Sequence, residues 1–453
     1  MASMIPNVPG TGNSVPVSTY TAGVSESYPN VNRQRIIEAS INSKEKIDVM
    51  PVNVGVNQVL SDRYLEFRIN GVVGSFLDLS SLNLELGLNF TQPNGNPLAN
   101  DTTLALANGI GNTLFKSVSV YINEKIVESN PLFNYTSYIK LLKEFDTHRL
   151  QSLGLCGGIF DNIENVDSVV DIYTDAIFAA DSKHLEKKLQ VQIKAHGVDI
   201  YFPLMLDVCS MDMYLLDGMD VKIRLELANQ AWFLNTLGDI NNISLKVNKA
   251  KLWIDRVIPH YNALGALNKA LTTKPIEYIF RKMLYKTYIV SQNESSIMID
   301  QPWGNVIPEK LTMMFVNMNS FSGSGAQNGL YFSHLHLSNT HITINGSTLY
   351  NINTDFPNGK YSRSYYETQN AIGNDNHNMI TYKAYKGGRS IFCFTFVNES
   401  VQDTLPIEMS ASLRINLTFA QPAPAPYIVI LLADTMGLIT VDEQRTLTCD
   451  VRG

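Results

Sequence analysis

Charge is scarce in this chain. Only 17 % of its 453 residues are Asp, Glu, Lys or Arg, where about a quarter is usual for soluble domains. The net charge is −7, and the densest basic spot, His184 to Lys188, already contains Glu186. A protein that grips phosphates needs a basic excess, so specific nucleic-acid binding is not expected. Cysteine is equally thin. Cys156, Cys209, Cys393 and Cys449 lie far apart and form no Cys-x-x-Cys pair, which argues against a zinc site and a disulfide scaffold. Reduced, mostly buried thiols are expected. No apolar run approaches the roughly 18 residues of a membrane span; the run at 427–433, YIVILLA, has strand length. The N-terminal stretch MASMIPNVPGTGNS lacks the basic and apolar regions of a signal peptide. There is no Gly-x-Ser-x-Gly and no Walker loop.

What the chain has is alternation. Residues 311–350 hold an apolar run ending at Val316, a small-residue loop from Ser320 to Gly329, and a turn at Asn345-Gly346. Leu335 and Leu337 before the turn, and Ile342 and Ile344, are read as sharing the inner face of extended chain. Asn-Gly is a strong hairpin signal because both residues tolerate positive φ. Residues 114–133 echo this stretch: Val118, Val120 and Ile122 alternate with Ser117, Ser119 and Tyr121, and a turn follows at Asn123-Glu124. Asn123 matches Asn345, an offset of 345 − 123 = 222. VKIRLELA at 221–228 matches LRINLTFA at 413–420, an offset of 420 − 228 = 192. KLWIDRVIP at 251–259 pairs with VILLADTMG at 429–437. Three pairs in the same order imply a duplicated domain-sized module. The offsets differ by 222 − 192 = 30, so the first copy carries that many extra residues, placed between His148 and Lys188 where alternation is lost.

In chain order, residues 1–44 read as a flexible arm rich in Pro, Gly, Ser, Thr and Asn. The first module spans 45–258, with strands at 64–69 and 76–90 and a turn at Pro93–Asn96. One short helix is predicted over 136–150, from Tyr138, Leu141, Leu142 and Phe145. Residues 259–275 form a linker of helical character ended by Pro275. The second module spans 276–453, with a long Asn- and Gly-rich loop at 351–380, a strand at 390–396 after Gly387-Gly388, and a rigid QPAPAP connector at 421–426. The fold class is all-β: two tandem β-sandwich domains with a short helix in the first.

Candidate chemistry is sparse. His334-x-His336 with His341 nearby suggests a duplicated cupin, itself a jelly roll. Such a metal site also needs a glutamate, and none lies in 337–343; the matching place in the first half, Lys116-Ser117-Val118, has no histidine. Two imidazoles on the outer face of a strand, opposite Leu335 and Leu337, is the plainer reading. Asp207, Asp212, Asp217 and Asp220 do not fit an EF-hand and read as a solvated loop. Gly323-Ser324-Gly325 reads as a flexible loop. Trp232-Phe233 and Tyr365-Tyr366 read as core pairs. A carbohydrate-binding sandwich would want exposed aromatics, but Trp232, Trp253 and Trp303 sit in apolar runs. No catalytic, cofactor or metal residue is assigned.

Several stretches together resemble the double jelly-roll major capsid proteins of adintoviruses and Polinton (Maverick) elements. They are LEFRINGVVGSFLDLSSLNLEL at 65–86, GIGNTLFKSVSVYINEKIV at 109–127 with the following helix, VIPEKLTMMFVNMNSFSGSGAQNGLYFSHLHLSNTHITING at 306–346, and ADTMGLITVDEQRTLTCD at 433–450. The resemblance fails for the first 44 residues and for 150–185 and 351–380. It implies two eight-stranded jelly rolls in one chain, and three chains forming a pseudo-hexagonal capsomer of an icosahedral shell around a DNA genome. Partners are then other copies of itself, with penton and minor capsid or cement proteins, and no enzymatic activity or cofactor. The arm and residues 434–453 are expected to gain order only against neighbours.

Overall fold

The computed structural model describes residues 40–449, apart from 54–57, 60–63, 100–104, 145–152, 159–195, 237–238, 326, 374–377 and 397–410. Expectations for residues 1–39, for 145–150 of the predicted helix and for most of 148–188 fall outside the described residues.

Sixteen strands carry the fold. The first eight are β1 (Ile41–Val49), β2 (Tyr64–Ile69), β3 (Phe76–Thr91), β4 (Phe115–Ile122), β5 (Lys125–Asn130), β6 (Val198–Pro203), β7 (Val221–Leu227) and β8 (Ser244–Pro259). They form two antiparallel sheets, ordered β1-β8-β3-β6 and β2-β7-β4-β5. The second eight are β9 (Ile276–Val290), β10 (Ser296–Asp300), β11 (Lys310–Asn317), β12 (Leu337–Ile344), β13 (Ser347–Asn353), β14 (Ile391–Thr395), β15 (Leu413–Phe419) and β16 (Tyr427–Val441). Their sheets run β9-β16-β11-β14 and β10-β15-β12-β13. Every strand n of the first set has its counterpart at n + 8, in the same place of the same sheet. Two four-stranded sheets connected in this order make a jelly roll, so the chain is a double jelly roll.

Alternation explains the inner faces. Leu65, Phe67 and Ile69 of β2, Val118, Val120 and Ile122 of β4, and Val221, Ile223 and Leu225 of β7 are all buried. Each such side chain contributes about 1.5–3 kcal/mol by leaving water. In β3, Leu77 and Leu79 give way to Leu82, Leu84, Leu86 and Leu88; the phase slips at Ser80-Ser81, opposite a register shift in β8 at Trp253/Asp255. Ser81 Oγ there accepts the Asp255 N–H at 2.7 Å, which satisfies a backbone group the bulge frees.

The duplication extends to single hydrogen bonds. Both two-residue turns have positive φ at both positions: 46° and 61° at Asn123 and Glu124, 51° and 80° at Asn345 and Gly346. Asn123 exchanges bonds with Asp220: its N–H donates to the Asp220 carbonyl and its Oδ1 accepts the Asp220 N–H, both at 2.9 Å. Asn345 does the same with Ser412, again both at 2.9 Å. The Ala228 N–H donates to the Leu114 carbonyl, and the Ala420 N–H to that of His336. A one-residue register shift falls at Val120/Tyr121 in β4 and at Ile342/Thr343 in β12, again 222 apart. One expectation is corrected in β12: Ile342 and Thr343 are buried, and Ile344 is only half-buried. The extra residues of the first copy lie between β5 and β6: 198 − 130 = 68 positions there, against 391 − 353 = 38 in the second copy.

Among the described residues, the helices of eleven residues or more are α1 (Phe133–Glu144), α2 (Tyr261–Leu271) and α3 (Ser362–Ile372). α1 starts three residues before its predicted place because Phe133 and Tyr135 pack inward with the rest. α2 occupies the expected linker. α3, with a short turn of helix at Tyr382–Lys386, replaces the loop predicted at 351–380; Asn-rich composition hid the buried Ser364, Thr368 and Ala371. Two terminal expectations are also corrected. Ile41–Lys44 belong to β1, paired with Val257 to Pro259. Residues 434–449 are ordered within the chain, since β16 runs to Val441 and Leu447–Cys449 folds back on it.

Candidate functional site

The seam between the two sandwiches holds the buried carboxylates Glu128, Asp207 and Asp217. α1 is buried on nearly every side, from Phe133 through Ile139 and again at Leu141 and Leu142. It belongs to the first sandwich but reaches the second. Lys143 Nζ donates to Thr312 Oγ1 of β11 at 2.8 Å, and the Met379 N–H donates to the Leu142 carbonyl. Tyr135 stacks on Phe321 with centroids 5.5 Å apart and accepts the Trp232 indole N–H at 3.2 Å. This second cover explains why the centre of β11, Leu311 through Val316, is buried without alternation, and likewise Tyr427–Ala433 of β16. Strands covered on both faces read as continuous apolar runs.

At the heart of the seam sit Lys140, Asp207 and Glu128. Lys140 Nζ lies 2.6 Å from Asp207 Oδ1. Asp207 Oδ2 accepts the Met283 N–H of β9 at 2.9 Å. Glu128 is 5 % exposed; its Oε2 accepts the Val208 N–H at 3.1 Å and its Oε1 has no hydrogen-bond partner. Burial, and then the charge of Asp207, push the Glu128 carboxyl up to about 8. Burial pulls Lys140 down, but the charges of Asp207 and Glu128 outweigh it and its ammonium is held above the usual range. Burial pushes the neighbouring Cys209 thiol up to about 12, so it is a poor nucleophile.

A second tie is the turn before Leu447–Cys449. Arg445 reaches back to the first sandwich: Nη2 donates to Asp217 Oδ1 at 2.5 Å and to Asn268 Oδ1 at 3.2 Å, and Nε to the Asp217 carbonyl at 3.1 Å. Lys125 Nζ donates to the Leu447 carbonyl at 2.5 Å and Asn123 Nδ2 to that of Arg445 at 3.0 Å. So the aspartates read as a solvated loop are mostly structural. Asp207 and Asp217 are buried and charge-paired; Asp212 and Asp220 are exposed, though Asp220 Oδ1 accepts the Gly71 N–H at 2.7 Å. The Gly-rich loop also packs. The Gly325 carbonyl accepts the Thr236 N–H, and Gly329 lies against the Trp232 indole, where an added Cβ would come within 2.6 Å. Trp232 and Phe233 are core, as expected, but Tyr366 is 64 % exposed beside a half-buried Tyr365. The thiol expectation holds only for Cys393; Cys156 is exposed and the other two are half-buried.

The histidines do not stand on a strand. Leu335 and His336 have φ of 46° and 48° and form a turn ahead of β12. His334 and His336 are half-buried, and Leu335 and Leu337 are buried. His334 stacks on Phe356 at 4.5 Å and its Nδ1 accepts the His336 N–H at 3.0 Å. Burial, with His336 and Lys386 nearby, lowers His334 to about 4. His341 of β12 meets Thr348 Oγ1 of β13 through Nε2 at 3.0 Å. By the 222-residue offset, the positions matching His334 and His336 are Asn112 and Leu114, not 116–118. Among the described residues no group of three or more His, Cys, Asp or Glu side chains is placed to hold a metal, and no helix is long and apolar enough to cross a membrane.

No protein-family model matches the sequence, and no curated protein matches it. Solved structures do match, along nearly the whole chain. The mavirus major capsid protein has a TM-score of 0.53 at 11 % identity, with 98 % of this chain and 97 % of that one covered. A Sputnik virophage chain gives 0.57 at 12 % identity, covering 100 % and 94 %. The Faustovirus major capsid protein gives 0.54 at 9 % identity, covering 92 % and 93 %. The shared fold is the double jelly roll of viral major capsid proteins.

Proposed function

We propose that the chain is a viral major capsid protein that acts as a homotrimer. The observation that carries this reading is the two-way coverage of double jelly-roll capsid proteins, 98 % of this chain and 97 % of the mavirus protein, and 100 % and 94 % for the Sputnik chain. Two jelly rolls welded side by side form a rigid block whose halves present similar outlines. Three such blocks under closed three-fold symmetry give six jelly rolls around a ring, suited to near-hexagonal lattice sites. In this reading the chain divides into an arm that ends before β1, a first jelly roll (41–258), a linker (259–275) and a second jelly roll (276–453). It encloses a DNA genome without reading its sequence, resides in the virion, works with penton and minor capsid proteins, and has no enzymatic role.

Surface chemistry supports the trimer. The connection from β5 to β6 of the first sandwich carries α1, which contacts the second sandwich through Lys143 and Leu142. The equivalent connection of the second sandwich carries α3 and leaves Tyr366 64 % and Tyr382 41 % exposed, with Leu349 at 45 %. Exposed tyrosines at such a place suit a permanent interface, which typically buries about 2,000 Å² or more. The test is the mass of the purified protein in solution, followed by negative-stain microscopy. Trimers with hexagonal outline are expected, and removal of residues 2–40 should leave trimers but impair shells. A chain that stays monomeric at every salt and concentration tried would refute the reading.

A further inference from the structure

Outside any assembly role, the buried cluster of Lys140, Asp207 and Glu128 has the makings of a reactive centre. Three features coincide. An amine and a carboxyl are in direct contact, Lys140 Nζ to Asp207 Oδ1 at 2.6 Å. The carboxyl is polarised from the other side, since Oδ2 accepts the Met283 N–H at 2.9 Å. A second carboxyl, Glu128, is anchored beside it through the Val208 N–H at 3.1 Å and keeps a buried oxygen, Oε1, with no partner. Asp207 and Glu128 are 4 % and 5 % exposed, so water is largely excluded. An amine bonded to one carboxylate oxygen at this distance has the carboxyl carbon about 3–3.5 Å away, the range of a near-attack contact.

We propose that Lys140 and Asp207 close an intramolecular amide bond, with Glu128 as the proton carrier. Within the pair the ammonium gives up a proton, and the free Nζ attacks Cγ of Asp207. The Cγ–Oδ1 bond breaks, and Oδ1 leaves as water with two protons that came from the nitrogen, one of them relayed through Glu128. Oδ2 stays as the amide carbonyl and keeps the Met283 N–H. An ammonium and a carboxylate become one amide and one water; no oxidant, cofactor or other reactant is consumed. A dry site favours the neutral amide over a buried ion pair, whose desolvation is costly. Because Met283 belongs to the second sandwich, the centre is complete only when the two sandwiches have docked. The bond would then fasten α1 to the loop at 204–211 on the inner side of the seam.

The experiment is the intact mass of the denatured full-length protein, with peptide mapping. The expected mass is one water below that of the sequence, allowing for loss of the initiating Met, with one branched peptide joining Lys140 to Asp207. Lys140→Arg and Glu128→Gln should each show the full mass and no branched peptide. Wild-type protein at full mass after prolonged incubation in the folded state would overturn the proposal, whether or not the variants fold. A water loss that persists in Lys140→Arg would overturn it too, since it would lie elsewhere in the chain. A branched peptide in Glu128→Gln would remove Glu128 from the chemistry.

Discussion

Replacing Arg445 by Ala should loosen the closure of the seam by an amount that can be worked from its contacts. The Asp217 side chain is 5 % exposed and that of Arg445 21 %. Removing one partner of a fully buried pair costs about 3–5 kcal/mol, because the other charge is left stranded. Here Asp217 keeps the Gly74 N–H on Oδ2 at 2.9 Å, and Arg445 is partly wetted, so about 2–3 kcal/mol is expected. Two controls separate the causes. Arg445 has φ of 62°, a left-handed conformation that costs a residue other than glycine about 1–2 kcal/mol. Arg445→Gly should therefore unfold later than Arg445→Ala by about that margin, less some unfolded-state entropy. Asp217→Asn combined with Arg445→Ala should cost less than the two single changes together, with a coupling of about 1–2 kcal/mol that persists at high salt. The assay is chemical denaturation of wild type and the four variants, with hydrogen exchange over 214–220 and 442–449 to locate the opening. Arg445→Ala within about 0.5 kcal/mol of wild type, as for ordinary surface changes, would refute the idea that this turn ties the sandwiches.

Glu128 supplies a pH dependence with a definite sign. Its carboxyl is held at about 8 in the fold against an ordinary 4.5, so between those values the unfolded chain sheds a proton that the folded chain keeps. Stability should fall through that window at up to about 1.4 kcal/mol per pH unit and level off above it. Glu128→Gln should abolish that slope in a denaturation series, and an unchanged slope would mean the group is not buried as described. Leu225→Ala, at 0 % exposure in β7, should cost about 2–5 kcal/mol in unfolding free energy. Gly329→Ala forces a methyl group against Trp232 and should cost about 1–3 kcal/mol, seen as a lower melting temperature with altered Trp fluorescence. Tyr366→Ala with Tyr382→Ala should shift sedimentation from trimer towards monomer while leaving the circular dichroism of the folded chain unchanged; intact trimers would place the interface elsewhere.

Much of the fold was legible because a half-buried strand writes its geometry directly into the sequence. Val118, Val120 and Ile122 alternate, and Asn123 and Asn345 mark turns that need positive φ. The matched offsets follow from that, down to the insertion between β5 and β6. Where a second layer covers the strand, the signal changes. Met313, Met314, Phe315 and Val316 are all buried, so β11 lost its alternation. The histidine turn was misread for a related reason. Leu335 and Leu337 are both buried, as in a strand, but Leu335 itself and the His336 between them are left-handed, and a leucine does not announce that conformation.

The seam was the least legible part, because its members are local in neither sequence nor pattern. Lys140 and Asp207 are 67 positions apart and Arg445 and Asp217 are 228 apart. Nothing at either end signals the partner, and an aspartate beside a turn reads as solvated until the other sandwich arrives. The duplication sharpens the point. Both copies have the same eight strands, yet α1 of the first is buried between sandwiches while α3 of the second leaves tyrosines exposed. A duplicated module in an open chain must end somewhere, so one copy of each paired surface is satisfied within the chain and its counterpart is not. In the proposed trimer, closing three chains into a ring would satisfy the second surface with the same kind of contact the first already makes. The unmatched exposure at α3 is thus what tandem duplication leaves behind, and it is also the feature from which a trimer would follow.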